Sequence, residues 1–171
     1  SRLTATPLRR DALTIANAGY QALDIRTLFA DSCKELHNSI CVDGRTYDLA
    51  DYKNVYLVGI GKGSALAARS LVKSLPKNSI TNGVVIDIRK RFIHRRIKSL
   101  VGTHPLPSKQ NITGTNQIID LLTNATTEDL VITVICGGGS SLGCQPSRGL
   151  TCTDLQQVSN HLLKSGATIE Q

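Results

Sequence analysis

The feature that most constrains this chain is an apolar, β-branched run at 130–135 (LVITVI) that opens directly onto Cys136, Gly137, Gly138, Gly139, Ser140 and Ser141. Such a run is too short for a buried helix and suits a central strand of a parallel sheet, where both faces are covered. The glycines let the backbone take positive φ and let a ligand approach without meeting a Cβ. Successive N–H groups in a turn of this kind can converge on an anion, and Ser140 and Ser141 place two hydroxyls beside it. A flexible loop at a strand end is the plain alternative. A second glycine turn after a second apolar strand, at 59–64 (GIGKGS), argues against it.

From residue 54 onward, strands alternate with helices. The pattern predicts a strand at 55–58, a turn at 59–63 and an Ala-rich helix at 64–75 stopped by Pro76. Strands follow at 84–88 and 97–101, then a helix at 108–123 with Ile112, Ile119 and Leu122 inward. After the 130–135 strand, a helix is expected from about 154 to 164, with Thr153 and Gln156 as its capping box and Gly166 as its stop. Its inward face reads as Leu155, Val158 and Leu162. Upstream, a helix at 7–23 aligns Leu8, Ala12, Ile15, Ala16 and Gly19, and Asp24 caps a second helix carrying Ile25, Leu28, Phe29, Cys33 and Leu36. Residues 40–49 read as a hairpin turning at Asp43-Gly44. Strands alternating with helices predict the α/β class, a three-layer α/β/α sandwich around a mostly parallel sheet.

At 171 residues the chain is one domain by length. No apolar run reaches the length of a membrane span, the N-terminus lacks the apolar core of a signal peptide, and the missing initial Met suggests a trimmed chain. Cysteines at 33, 41, 136, 144 and 152 form no CxxC pair and leave one over, which points to reduced thiols in a cytosolic protein rather than a disulfide framework or zinc site. Cys136 and Cys144 flank the glycine turn, where one reading is a reactive thiol; Cys136 reads rather as a small buried hydrophobe. The net charge of +7 is concentrated at 89–98 (RKRFIHRRIK), which holds no acid. With only Phe92 as an aromatic, that run reads as a solvated loop or edge hairpin rather than a nucleic-acid patch.

Ligands of such sheets bind beyond the carboxyl ends of the strands. Three features fall at expected strand ends: 59–64, 103–108 (THPLPS) and 137–141. The first is no Walker loop, because GxxxxGK[ST] would need glycine at Tyr56 and a hydroxyl at Gly63. As a dinucleotide fingerprint it has Gly59 and Gly61 but Ser64 in third place, with Asp87 roughly where a ribose-binding acid would stand. Lys62 at the mouth of a glycine turn suits an anionic substrate or a transferring phosphoryl group; the alternative is a lysine solvated at a helix start. His104 reads either as a general base or substrate contact, or as a residue fixing the rigid HPLP turn. No pair of carboxylates at a strand end makes a metal site.

Four blocks in order resemble the glycerate 2-kinase family (MOFRL-type). LVGIGKGSALAARSL resembles its VGxGKA…MA segment, and THPLPSKQNITGTNQIIDLL its HPVPDE…A…LL segment. DLVITVICGGGSSL is similar to its strand and SGGGSAL turn, and LLKSGATIEQ to its LL.SGATI.ELN segment. The resemblance implies ATP-dependent, Mg²⁺-assisted phosphorylation of D-glycerate at the 2-hydroxyl by a cytoplasmic enzyme, some of whose relatives are labelled hydroxypyruvate reductases. It implies a Rossmann-like N-terminal domain, here 1–171, with a smaller C-terminal domain as its partner across the cleft. The family's catalytic lysine falls on Lys62, and its glycine-serine turn on Gly137, Gly138, Gly139, Ser140 and Ser141, with Gly59, Gly61 and His104 on the substrate and phosphate side. Cys136 replaces the family's usual Ser, Ser108 its usual Asp, and Lys109 a common acid. The sequence stops at Gln171, where the family continues into the domain carrying a further catalytic arginine. It is therefore expected to be part of a longer kinase and inactive alone. Two competitors remain: a nicotinamide-dependent reductase using Gly59, Gly61 and Asp87, and a non-catalytic anion-binding domain reaching nucleic acid through 89–98.

Overall fold

The computed structural model describes residues 5–22, 24, 33–36 and 38–168. Helix α1 (Pro7–Ala22) is followed by strands β1 (Cys33–Leu36), β2 (Ser39–Val42) and β3 (Arg45–Asp48), which pair antiparallel in sequence order. Then come β4 (Asn54–Ile60), α2 (Ser64–Lys73), β5 (Asn82–Asp87), β6 (Ile97–Val101), α3 (Lys109–Leu122), β7 (Asp129–Ile135), the single turn α4 (Gly139–Leu142) and α5 (Cys152–Ser165). Strands β4 to β7 form one parallel sheet in the order β6-β5-β4-β7. The 130–135 run, expected as a central strand covered on both faces, is therefore the edge strand among the described residues, with Ile135 74% exposed and Val134 its one buried residue; β4 and β5 take the centre.

Successive residues of a strand point to opposite faces, and β4 and β5 are apolar at both. Leu57 and Val85 pack with Ala65, Ala68 and Leu71 of α2, where small alanines let the helix sit close to the sheet. Val58, Val84 and Ile86 pack on the other face with Ile118 of α3 and with Leu142. Helices on both faces make the expected three layers. The meander joins the α2 side through Ile40, and Leu49 just beyond it is buried in the same cluster. Its hairpin turns at Asp43 (φ 50°) and Gly44 (φ 74°), the left-handed pair of a tight type I′ turn.

Several local expectations are corrected. Cys33 and Leu36 fit a helical period, yet residues 33–36 pair with β2, Cys33 opposite Val42 and Leu36 opposite Ser39. Backbone pairing along the otherwise open edge of β2 outweighs a weak helical prior; the rest of that expected helix, 25–32, lies outside the described residues. The capping box of α5 is Thr151 with Asp154, not Thr153 with Gln156, and the helix starts two residues earlier than expected. Neither Val158 (58% exposed) nor Leu162 faces inward, since α5 buries none of its residues. The buried stripe of α3 is Asn111, Gly114 and Ile118, whereas Ile119 is 43% exposed. Gly114 sets this rotation, because a Cβ there would lie 2.8 Å from Ile86 Cδ1.

Ile97 and Lys98 of the basic run open β6, and residues 89–96 lie in the loop between β5 and β6. Ile93 is buried beneath it, and Arg96 Nη1 donates to the carbonyls of Asn78 (3.2 Å) and Ile80 (2.9 Å). Among the described residues no helix is long and apolar enough to cross a membrane.

Candidate functional site

At the carboxyl edge of the sheet the ends of β4 and β7 are laced together. Cys136 N–H donates to Ile60 O (2.8 Å), and Lys62 N–H donates to Gly137 O (2.8 Å). Gly61 takes φ 121°, and a Cβ there would run into the carbonyl of Cys136, so the crossing of the two chains requires glycine at this point. Cys136 packs against the core beneath, and burial first, then the charge of Asp87, pushes its thiol up from the usual range. It packs as a small hydrophobe but is half-buried rather than buried.

Asp87 sits under the first turn, 2% exposed. Its carboxylate accepts from Gly63 N–H (3.1 Å to each oxygen), Ala65 N–H (3.0 Å) and Ile88 N–H (2.7 Å). Helix α2 has a glycine N-cap, Gly63, that offers no side-chain acceptor, and Asp87 supplies one from across the sheet. A carboxylate so committed to backbone donors is not free to read a ribose, which corrects the role given to Asp87 in the reductase alternative. The same arrangement neutralises the N-terminus of α2, leaving Lys62, exposed at the apex of the turn, as the cation facing outward.

Three of the expected site residues converge. Gly138, at φ 78°, is the N-cap of α4, and a Cβ built on it would lie 2.5 Å from His104 Cδ2, 2.8 Å from His104 Nε2 and 3.3 Å from Lys62 Cε. The missing side chain is the space into which His104 and Lys62 lean. Gly137 faces open space, Gly139 begins α4, and Ser140 is exposed on it. Ser141 is not a free donor to ligand: its hydroxyl donates to Pro105 O (2.8 Å). Gly59 is not in the turn at all. It lies within β4, where a Cβ would meet Val85 Cγ1 at 2.8 Å, so it serves sheet packing.

The His104 loop is itself braced. The His104–Pro105 peptide is cis, and Thr103 Oγ1 donates to Leu106 O (2.8 Å). Asn111, fully buried, accepts from Thr103 N–H (2.8 Å) and Ser108 Oγ (2.8 Å) and donates to Thr103 O (2.8 Å) and Ser141 O (2.7 Å). Gln156 of α5 donates to Pro107 O (2.7 Å). Asn111 was missed in the sequence, although a signal existed: it is the polar member of the stripe Asn111, Gly114, Ile118. Among the described residues no group of three His, Cys, Asp or Glu could hold a metal ion.

Comparison with known proteins agrees with this architecture. The family model described as "Domain of unknown function (DUF4147)" matches residues 11–171. A glycerate 2-kinase of Pyrococcus horikoshii is 28% identical over 99% of this chain and 38% of its own length. A putative hydroxypyruvate reductase of Agrobacterium vitis is 35% identical over 67% of this chain and 26% of its own. A crystal structure of a Pyrococcus horikoshii protein superposes with a TM-score of 0.79 at 27% identity, covering 98% of this chain and 38% of that one. The glycerate kinase of Thermotoga maritima superposes at 0.63 and 29% identity over 71% of this chain and 30% of its own. The chain thus spans under two fifths of the length of these relatives. Matched by its family model over nearly all its length and sharing its layered sheet with a glycerate kinase, the chain belongs to the DUF4147 family.

Proposed function

We propose that this chain is the N-terminal domain of a longer, two-domain cytoplasmic glycerate 2-kinase that transfers the γ-phosphoryl group of ATP to the 2-hydroxyl of D-glycerate. The observation that carries the reading is the convergence of Lys62, His104 and Gly138 at the carboxyl edge of the sheet. A lone lysine beside a side-chain-free turn suits a triphosphate or a carboxylate, because it neutralises charge while the bare backbone allows close approach. ATP fits that donor set and supplies the phosphoryl group when bound. Lys62 then stabilises charge on the phosphoryl group or on the glycerate carboxylate, and His104 contacts the substrate across Gly138. The described residues hold no group of three His, Cys, Asp or Glu side chains, and Asp87 is committed to the backbone, so a Mg²⁺ accompanying ATP would be held chiefly by the phosphates and water. The remaining half of the cleft falls to the partner C-terminal domain.

The test is a coupled assay for ADP release by the full-length protein with D-glycerate, ATP and Mg²⁺. NADH oxidation by hydroxypyruvate is followed separately, because two relatives from Agrobacterium vitis carry the hydroxypyruvate reductase name. Lys62→Ala is expected to lower turnover by about 10²-fold or more, the scale on which a preorganised charge partner acts. Unchanged kinetics would remove Lys62 from the mechanism, and NADH oxidation without ADP release would replace the kinase reading.

A further inference from the structure

The residues on either side of His104 are both fastened to Ser141. Thr103 is held through Asn111, which bonds its N–H and its carbonyl and at the same time donates to Ser141 O (2.7 Å). Pro105 is held directly, its carbonyl accepting from Ser141 Oγ (2.8 Å). Gly138, the residue His104 leans over, begins the turn that ends at Ser141, and its own carbonyl accepts from Leu142 N–H (3.1 Å). His104, Thr103, Asn111, Ser141 and Gly138 therefore close a ring.

We propose that Asn111 is a positioning residue of this site, clamping the loop that carries His104 onto the turn that carries Gly138 and thereby setting where the imidazole stands relative to Lys62. The proposal rests on the kinase reading for its activity arm. Its geometry does not. Asn111 is completely buried, and a buried amide costs stability unless all its polar atoms are satisfied. Here both its N–H groups and its oxygen are used. No apolar residue could hold two carbonyls from separate segments at one point. A carboxylate of the same shape would keep the acceptor and lose both donors, turning two attractions into repulsions.

The experiment uses the full-length protein with Asn111→Ala, His104→Ala and the double variant. Asn111→Ala is expected to lower kcat by about 10–100-fold, since misplacing a contact group by about 1 Å has effects of that size, with KM for ATP little changed. In the His104→Ala background the same substitution should change kcat by less than about threefold, because the geometry it sets is already gone. An equal loss in both backgrounds means a general structural role and overturns the proposal. Carbon-edited NMR of the histidine rings reads positioning without turnover. In Asn111→Ala the His104 signal should move while those of His94 and His161 stay, and an unmoved His104 signal overturns the proposal even if no ADP is released. Where Asn111→Ala fails to fold, Asn111→Ser, whose single hydroxyl donor cannot serve both the Thr103 and the Ser141 carbonyl, carries the same cycle and the same spectrum. Absence of ADP release in the wild type, by contrast, defeats the kinase reading and leaves the NMR arm to decide the clamp.

Discussion

The adjacent glycines 137 and 138 offer a paired test of the site. Alanine at position 138 meets two penalties. The backbone stands at φ 78°, where an L side chain costs about 1–2 kcal/mol. Its Cβ would also lie 2.5 Å from His104 Cδ2, against a comfortable carbon–carbon separation of roughly 3.5 Å, so the imidazole must retreat by about 1 Å. For a chain of this size the first penalty lowers Tm by about 2–8 °C. The second displaces a substrate contact, which at about 1 Å of misplacement lowers turnover by on the order of 10²-fold. Gly137 meets neither, since its φ is not left-handed and a Cβ there finds nothing within 4 Å. Gly137→Ala should melt within a degree or two of wild type or slightly above it, because alanine restricts the unfolded chain by about 0.4–1 kcal/mol. Thermal melts and the coupled ADP assay on the full-length protein read both quantities. Equal effects of the two substitutions, or wild-type turnover in Gly138→Ala, would refute the placement of His104 over Gly138.

Asp87→Asn should lower stability by about 1–3 kcal/mol in urea unfolding, because an amide turns one acceptor into a donor facing the N–H groups of Gly63, Ala65 and Ile88; a neutral outcome would show the cap of α2 to be dispensable. The α5 cap should be acid-sensitive. The Thr151 hydroxyl, then its N–H, hold Asp154 below the usual carboxylate range, so its contribution is intact above the unfolded value of about 3.9 and fades as pH falls through the lower folded one. The gap in Tm between wild type and Asp154→Asn should therefore narrow from pH 6 to pH 2, and a constant gap would mean the carboxylate charge is irrelevant to the helix.

The layered core was legible at β4 and β5, whose two faces are written in one short alphabet; β7 is written in the same letters but stands at the edge of the sheet, with Ile135 74% exposed. Val55, Leu57, Val58, Val84, Val85 and Ile86 are apolar in sequence and buried in structure, and no other placement of such runs keeps them from water. What failed was phase. Ile112 and Ile119 predict one helix face and Gly114 another, and the glycine decides because the distance of approach to Ile86 is set by the smallest residue in the contact, not the largest. The same blindness to partners put a capping box at Thr153. Both Thr151 and Thr153 have spacing for it, and only the actual start of α5 distinguishes them.

At the site the sequence marks residues that must be small or charged and is silent on what fastens them. Gly61, Lys62 and Gly138 stand out because a glycine-rich turn after an apolar strand has few structural uses. Gly59 belongs to the same string and looks identical, yet it lies one pleat too early and faces Val85. Asp87 was noticed for the wrong reason: an acid at the end of a second strand suits a ribose, but the donors nearest to it are backbone N–H groups left bare by a glycine N-cap. Asn111 lies in a helix and Ser141 in a turn, 30 positions apart in sequence, and their contact exists only once β5, β6 and β7 have been ordered. Residues that touch a ligand can be read from chemistry, since the chemistry limits the types. Residues that hold those residues in place answer to the fold, and in this domain the fold brings Asn111 and Asp87 to the site from α3 and β5.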